Sequence, residues 1–204
     1  MRLFLVRHGQ TDHNRDSIAL GRADVPLNEL GRRHAEALAT RLSREQIAAV
    51  YSSPLSRALD TASVISDRHG LPVTIEDALT EMEVGELDGL TYPVIRERFP
   101  RVIERWLGEE GPDHPFPGGE SLVEVADRAW AAVAHIASDH LTGTVVAVTH
   151  NFVILCLLAR ALGLPLNRFR RLKHEVAAIS VVEITSERAV VLSMNDTCHL
   201  SACE

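Results

Sequence analysis

The sequence predicts an α/β protein in which a mostly parallel sheet of about six strands lies between two layers of helices. Apolar segments of strand length alternate along the chain with longer segments whose apolar residues recur at helical spacing. Two of the strand segments, residues 3–6 and 145–149, contain no charged residue, which is typical of parallel strands buried on both faces. Together these patterns favour a three-layer α/β/α architecture.

The first half of the chain is expected to form strands at residues 3–6, 47–52 and 72–75 and helices at residues 27–42 and 55–69. Asn28 is a suitable N-cap for the first helix, because its side chain can accept a hydrogen bond from the first turn. Pro54 lies near the start of the second helix, where the missing N–H is tolerated. Gly70 follows its end, where glycine is common.

The pattern loosens between Glu81 and about Pro117, where only a short helix near residues 92–99 is expected. We interpret residues 82–120 as an inserted lid or substrate-facing subdomain, a helical and loop excursion over the carboxyl edge of the sheet. The remaining elements are helices at residues 121–140 and 151–162 and strands at residues 144–149, 178–184 and 189–194. No linker interrupts the pattern, so residues 1–204 are expected to form a single domain.

The charge balance argues against a nucleic-acid or membrane partner. The 204 residues carry a formal net charge of −7, which does not attract phosphate backbones or anionic lipids. The longest uncharged apolar stretch, residues 152–159, is shorter than a membrane span, and the apolar run at the start is too short for a secretory signal. We therefore expect a cytoplasmic protein in which Cys156 is a buried thiol. Free thiols are favoured for Cys198 and Cys203 as well, although a bridge between these two stays open.

Polar residues follow the two apolar strands at the points where those strands end. Arg7 and His8 come directly after residues 3–6, and His150 follows residues 144–149. Because neighbouring parallel strands end at the same edge of a sheet, both imidazoles are expected at that edge. Arg57 lies in the first turn of the helix after the second strand, and Glu81 begins the excursion over the same edge. This set describes a pocket for a phosphate group beside a proton donor.

The chemistry that needs this set is phosphoryl transfer without a metal ion or other cofactor. One imidazole would attack phosphorus while the arginines and the second histidine stabilise the charge on the transferring group. Glu81 would have to hold a proton for the departing alkoxide, and burial beside an anion would raise its pKa accordingly. The sequence contains no Gly-Lys-Ser/Thr phosphate loop and no zinc-protease or nucleophile-elbow motif.

Five motifs follow one another along nearly the whole chain. They are Arg7-His8-Gly9 with Thr11 and Asn14, the segment from Gly21 to Gly31, the segment from Ser52 to Ala58, Leu79-Thr80-Glu81 with Gly85, and Val148-Thr149-His150. In this order they resemble the motifs of the histidine phosphatase (phosphoglycerate mutase-like) superfamily. The resemblance implies that His8 is the phosphorylated nucleophile, that Glu81 is the proton donor and that Arg7, Arg57 and His150 form the phosphate pocket.

The same resemblance implies further contacts to the substrate. Asn14 and the backbone N–H of Asn151 would contact phosphate, with Thr11 and Gly21 as additional binding residues. The sequence does not decide whether Arg22 contacts the substrate or forms an ordinary surface ion pair. The chain departs from the family pattern at Asn151, where glycine is common, and at Leu87-Asp88, where many relatives have Trp-Glu.

Some alternatives remain open at this point. Glu83 competes with Glu81 as the proton donor, because side chains two apart in an extended segment point to the same side. We favour a histidine acid phosphatase-type hydrolase of small phosphorylated metabolites, such as sugar phosphates or phosphoglycerate derivatives. A cofactor-dependent phosphoglycerate mutase and a catalytically inactive phospholigand-binding module are the alternatives. A homodimer formed through the last strand also stays open.

Overall fold

The computed structural model describes residues 1–201 and 203, and these form six strands, seven α-helices and several 3-10 turns. In chain order the elements are β1 (Arg2–Arg7), α1 (Asp12–Arg15), α2 (Glu29–Leu42), β2 (Ile47–Ser52), α3 (Ser56–Asp67), β3 (Val73–Ile75), α4 (Tyr92–Arg98), α5 (Pro100–Leu107), α6 (Leu122–Asp139), β4 (Thr144–Thr149), α7 (Asn151–Ala161), β5 (Ile179–Ile184) and β6 (Ala189–Asp196).

The six strands form one sheet in the order β3-β2-β4-β1-β5-β6. The pairs β3-β2, β2-β4 and β4-β1 are parallel, whereas β5 runs antiparallel to both β1 and β6. Five strands therefore point in one direction, and the predicted mostly parallel α/β fold is confirmed. The short connection between β5 and β6 can only reverse the chain, so these two strands run in opposite directions.

The two faces of the sheet carry separate apolar clusters, because successive side chains of a strand point to opposite faces. Leu3 and Leu5 of β1 belong to one cluster together with apolar residues of α6 and α7. Phe4 and Val6 belong to the other, with residues of α2 and α3. The sheet is therefore covered by helices on both sides, which explains why its central strands carry no charge within the core.

Two helix starts follow the capping chemistry of the sequence. The Oδ1 atom of Asn28 accepts a hydrogen bond of 2.8 Å from the N–H of Gly31, as predicted. At the start of α6, the hydroxyl of Ser121 accepts from the N–H of Glu124, whose carboxylate accepts the N–H of Ser121 in return. This reciprocal pair fixes the start of the longest helix in the described part of the chain.

The helix expected near residues 92–99 is two helices in the structure, α4 and α5, and the second of them was not predicted. Phe99 ends the first and precedes the second in a non-helical conformation, with φ −125° and ψ 44°. Proline at position 100 disfavours the α conformation of the residue before it, so the chain must break there. The short helix α1 was also missed, and α3 ends at Asp67, earlier than predicted.

Residues 82–120 pack on the α6–α7 side of the sheet. Met82, Leu87, Ile95 and Phe116 are buried in the same cluster as residues of β1 and β4. Gly85 adopts φ +53°, and a Cβ atom there would lie 2.1 Å from the carbonyl oxygen of Pro117. Only glycine therefore allows the two ends of this segment to meet. Its role as a lid stays a prediction.

Two further sequence expectations concern membranes and cysteines. None of the helices that the structure describes is long and apolar enough to cross a membrane. Cys156 is buried, and Cys198 and Cys203 are free thiols as well.

We predict that the buried middle of α7 contributes more to stability than the exposed end of the helix. Leu158 has no exposed surface, whereas Leu162, the residue that follows the helix, is 51% exposed. Leu158→Ala should lower the free energy of unfolding by about 2–5 kcal/mol, because it leaves a cavity in the core. Leu162→Ala, the matched control, should change it by about 0.5 kcal/mol or less. Urea denaturation measures both values, and equal losses would contradict the assigned packing.

Candidate active site

His8 and His150 meet at the carboxyl edge of the sheet, as the sequence predicts. Strands β1 and β4 are parallel neighbours with Arg7 opposite Thr149, so the residue after each strand is a histidine at the same level. The two imidazole centroids are 5.0 Å apart, and the rings are tilted by 58°. Only 3% of His8 and none of His150 is exposed. The register of the two strands therefore creates the pair.

The hydrogen bond of His8 defines which ring nitrogen is available for chemistry. Its Nδ1 atom lies 2.7 Å from the carbonyl oxygen of Gly9. Because a carbonyl can only accept, Nδ1 carries the proton and Nε2 keeps its lone pair. Burial lowers the pKa of His8 well below its usual value, and the charges of Arg57 and Arg7 lower it further. His8 is thus a neutral imidazole with a nucleophilic Nε2.

His150 is held from the opposite side by a serine. Its Nε2 atom lies 2.7 Å from the hydroxyl oxygen of Ser53, which follows β2. Its Nδ1 atom is buried and has no hydrogen-bond partner among the described residues. Burial is the main cause that lowers the pKa of His150, followed by His8 and the two arginines. With Ser53 donating to Nε2, the free Nδ1–H can donate to a ligand.

The two predicted arginines are positioned by backbone carbonyls. Arg7 donates from Nη1 to the carbonyl of His174 at 2.6 Å and to Oδ1 of Asn151 at 3.2 Å. Arg57 donates from Nη1 and Nη2 to the carbonyls of residues 23 and 21, at 2.8 and 2.7 Å. Burial lowers the pKa of both. The Nε atoms of both are buried without a partner in the described part of the chain, so each has a donor left for an anion.

Glu81 is buried with the carboxyl group close to the start of α7. Its Oε1 accepts the N–H of Met82 at 2.8 Å, and its Oε2 accepts the N–H of Phe152 at 3.2 Å. Burial raises the pKa of Glu81, and this exceeds the opposing effect of these bonds and of the nearby arginines. The carboxyl group is therefore suited to holding a proton.

An ion pair that the sequence analysis missed anchors the backbone around Glu81. Arg128 of α6 donates to the carbonyls of Ala78 and Glu81 at 2.6 and 3.2 Å. Its Nε also lies 2.9 Å from Oε1 of Glu120. Glu120 lies before the N-cap of α6, so helical spacing does not predict its pairing with Arg128. No pattern in the sequence links that pair to Glu81.

The remaining predicted residues occupy different positions around the site. Asn14 and Asn151 line the cavity beside His8. Thr11 is fully buried, and its hydroxyl and N–H bond to Oδ1 of Asn14, so it supports Asn14 instead of facing the cavity. Gly21 presents its carbonyl to Arg57. Arg22 forms the surface ion pairs that the sequence left open, with Glu120 and Glu83 at 3.1 and 3.6 Å. Their binding roles stay predictions.

The cavity beside His8 has a volume of about 170 Å³ and is lined by two chemically distinct sets of residues. The polar set, which we name the polar end, is Arg7, His8, Asn14, Glu81 and Asn151. Arg57 and His150, which have no exposed surface, do not line the cavity. The other set, which we name the apolar wall, was not found from the sequence. It consists of Ile18, Ala19, Leu20, Val84, Leu87, Tyr92, Ile95, Ile103, Trp106, Phe116 and Phe152.

Two further findings bear on where ligands could bind. A larger open groove of about 1150 Å³ runs along α2 and α3, but it contains none of the predicted site residues. Within the residues that the structure describes, no group of three or more His, Cys, Asp or Glu side chains is arranged to hold a metal ion. Of the predicted catalytic residues, Arg7, His8 and Glu81 line the smaller cavity.

Comparisons with known proteins identify the family. Residues 3–197 match the model of the histidine phosphatase superfamily (branch 1). Phosphoserine phosphatase 1 of Hydrogenobacter thermophilus is 34% identical over 98% of this chain and 94% of its own length. The metal-independent phosphoserine phosphatase of Arabidopsis thaliana is 35% identical over 98% and 83%. The mycobacterial glucosyl-3-phosphoglycerate phosphatase, solved with VO3, superposes with a TM-score of 0.88 at 34% identity, covering 96% and 99% of the two chains.

We predict that acid destabilises the fold through buried neutral histidines. Burial lowers the pKa of His174 to about 4, and the pKa values of His8 and His150 are lowered in the same direction. An unfolded histidine binds a proton below about pH 6.5, which the native state does not, so stability falls as pH decreases from there. Glu81, whose folded pKa is raised, acts with the opposite sign.

The test compares His174→Asn with the wild type. Between pH 7 and 4.5 the variant should lose about 1–3 kcal/mol less free energy of unfolding than the wild type. His135→Asn, at an exposed position of α6, is the control and should keep the wild-type slope. Urea denaturation at each pH gives the slopes. An unchanged slope in His174→Asn would contradict the prediction.

Proposed function

Since this chain belongs to the histidine phosphatase superfamily and is a phosphomonoesterase, we propose that it hydrolyses small phosphomonoesters through a phosphohistidine at His8. The observation that carries this proposal is the pairing of two groups in one cavity, the neutral imidazole of His8 and the carboxyl group of Glu81 with its raised pKa. Opposite pKa shifts of this kind keep the nucleophile unprotonated and the proton donor protonated at the same pH.

In the first step, the lone pair on Nε2 of His8 attacks the phosphorus atom of the ester. The bond between phosphorus and the ester oxygen breaks, and its electron pair leaves with that oxygen. The carboxyl group of Glu81 gives its proton to the oxygen, so the product leaves as a neutral alcohol. The hydrogen bond from Nδ1 to Gly9 stabilises the imidazole as it becomes cationic.

In the second step, water attacks the phosphorus of the phosphohistidine. The carboxylate of Glu81, which lost its proton in the first step, accepts a proton from that water. The bond between Nε2 and phosphorus breaks, inorganic phosphate leaves and His8 returns to its neutral form. One side chain thus acts first as an acid and then as a base.

The charge on the transferring group would be stabilised by donors that the protein itself leaves free. The Nε atoms of Arg7 and Arg57 and the Nδ1 atom of His150 are buried without a partner among the described residues. Donors fixed in this way before the substrate arrives need no reorganisation in the transition state. The amide of Asn14 and the N–H of Asn151 at the start of α7 add two more at the surface of the cavity.

The substrates are proposed as small phosphorylated metabolites. Relatives are named for phosphoserine and glucosyl-3-phosphoglycerate, and the sequence suggested sugar phosphates or phosphoglycerate derivatives. A cavity of about 170 Å³ fits a compact leaving group.

We predict that His8→Ala lowers phosphate release by at least about a thousandfold, because the covalent route needs Nε2. Rapid quenching of the wild type with ³²P-labelled ester should trap an acid-labile phosphoprotein, and the variant should give none. His135→Ala, an exposed histidine of α6, is the control and should release phosphate at the wild-type rate. Activity retained in His8→Ala would exclude the phosphohistidine. Isomerisation of 3-phosphoglycerate without phosphate release would favour a mutase.

We predict that Glu81, and not Glu83, is the proton donor. Glu81→Gln should lower kcat for alkyl phosphates by about 10²–10⁴-fold. The loss should be smaller for 4-nitrophenyl phosphate, because nitrophenolate departs without a proton. Glu83→Gln, which only removes an ion pair with Arg22, should stay within about fivefold of the wild type. Equal losses for both esters in Glu81→Gln would contradict the acid role.

The raised pKa of Glu81 also predicts how the wild type responds to pH. The first step needs the protonated carboxyl group, so the rate should fall as pH rises through the pKa of Glu81. This falling limb should be weaker with 4-nitrophenyl phosphate, and a pH profile of kcat/KM for both esters measures it.

A further inference from the structure

We propose that the apolar wall selects phosphomonoesters with an uncharged, largely apolar leaving group, so that carboxylated phosphoesters such as phosphoserine are poor substrates. This inference rests on the proposed function, because the wall continues the cavity in which His8 and Glu81 would act. It narrows the substrate class within that function, and it disfavours the phosphoglycerate derivatives among the substrates considered above, because these carry a carboxylate.

The chemical character of the wall is the first observation. Among the described residues that line the cavity, the charged ones, Arg7 and Glu81, are at the polar end with His8. Apart from these three and the amides of Asn14 and Asn151, every lining side chain is apolar except for the hydroxyl of Tyr92. A substrate whose phosphate is held at the polar end must therefore place its leaving group against apolar side chains.

The wall is also built as a packed aromatic cluster. Trp106 lies 4.7 Å from Phe116 and 6.0 Å from Phe152, measured between ring centroids. Phe169, behind the wall, lies 5.6 Å from Trp106 and 6.2 Å from Phe152. Because these rings are fixed by one another, the wall cannot easily rearrange to expose a polar surface.

Three cations outside the cavity, Arg22, Arg168 and Arg170, are engaged with other groups. Arg22 pairs with Glu120 and Glu83. The guanidinium of Arg170 stacks over Trp106 at 4.9 Å and donates to its carbonyl, and Arg168 pairs with Glu109. None of the three lines the cavity.

A carboxylate on the leaving group would therefore lose water without gaining a cationic partner in the wall. Burying an unpaired charge is strongly unfavourable, and the carboxylate form of Glu81 would repel it in addition. An alkyl or aromatic leaving group gains from the same burial. Tyr92, which is largely exposed, has a phenolic hydroxyl that could form a hydrogen bond with one uncharged hydroxyl of the leaving group.

The experiment compares n-butyl phosphate with 2-carboxyethyl phosphate, primary alkyl esters of similar size that differ by a carboxylate. The wild type should hydrolyse the butyl ester with a kcat/KM at least about tenfold higher. Phosphoserine should be similarly poor. Binding of both esters to His8→Ala, measured by titration calorimetry, should show the same order without turnover.

A charge introduced into the wall should reverse the preference. Ile103→Lys places an ammonium among the lining residues and should raise the kcat/KM for 2-carboxyethyl phosphate, relative to butyl phosphate, by about fivefold or more. Leu107→Lys is the matched control, because Leu107 lies one turn later on α5, is 63% exposed and does not line the cavity. Its ratio should equal that of the wild type. If Ile103→Lys does not fold, Tyr92→Arg at a largely exposed wall position makes the same test.

The outcomes separate this inference from the proposed function. Release of phosphate that does not depend on His8 would contradict the phosphohistidine mechanism. Tighter binding of the butyl ester in the same experiments would still support selection by the apolar wall. Equal or tighter binding of the carboxylated ester, or no binding of either, would overturn the selection. So would a wild type that hydrolyses both esters equally well through His8.

Discussion

The pairing of β1 with β4 is the constraint on which the whole site depends. Arg7 faces Thr149 across the parallel ladder, and the next residue of each strand is a histidine. Because side chains alternate along a strand, a shift by one residue would turn one imidazole toward the opposite layer of helices. The uncharged side chains of both strands, buried on both faces, fix this register. Burial of the core thus sets the 5.0 Å spacing of the two rings.

Strand β4 also holds the segment that carries the carboxyl group of Glu81. The hydroxyl of Thr149 donates to the carbonyl of Leu79 at 2.5 Å, two residues before Glu81. Arg128 bonds to carbonyls on either side of that point, and Glu120 holds Arg128. Glu81 is thereby tied to the sheet and to α6 at once. A proton donor must keep a defined distance from the nucleophile, and this double attachment provides it.

The features that could be predicted from the sequence are those that depend on local residue patterns and on the order of the strands. The apolar strands, the Asn28 cap and the shared edge for His8 and His150 could be derived from composition and spacing. The break at Phe99 could have been derived from Pro100 and was overlooked. The apolar wall could not be, because its members range from Ile18 to Phe152 and only tertiary packing brings them together. The choice of Glu120 and Glu83 as partners of Arg22 likewise depends on packing, since several carboxylates were available.

The position of Trp106 makes the intrinsic fluorescence of the protein sensitive to what occupies the cavity. The chain has two tryptophans. Trp106 lines the cavity among other aromatic rings, whereas Trp130 lies on α6 beneath the guanidinium of Arg160 and outside that cavity. Indole emission responds to local polarity and to contact with a bound molecule, so occupation of the cavity changes the surroundings of one fluorophore and leaves the other as an internal reference. The unlabelled protein therefore carries its own binding sensor, which works equally well for ligands that are never turned over.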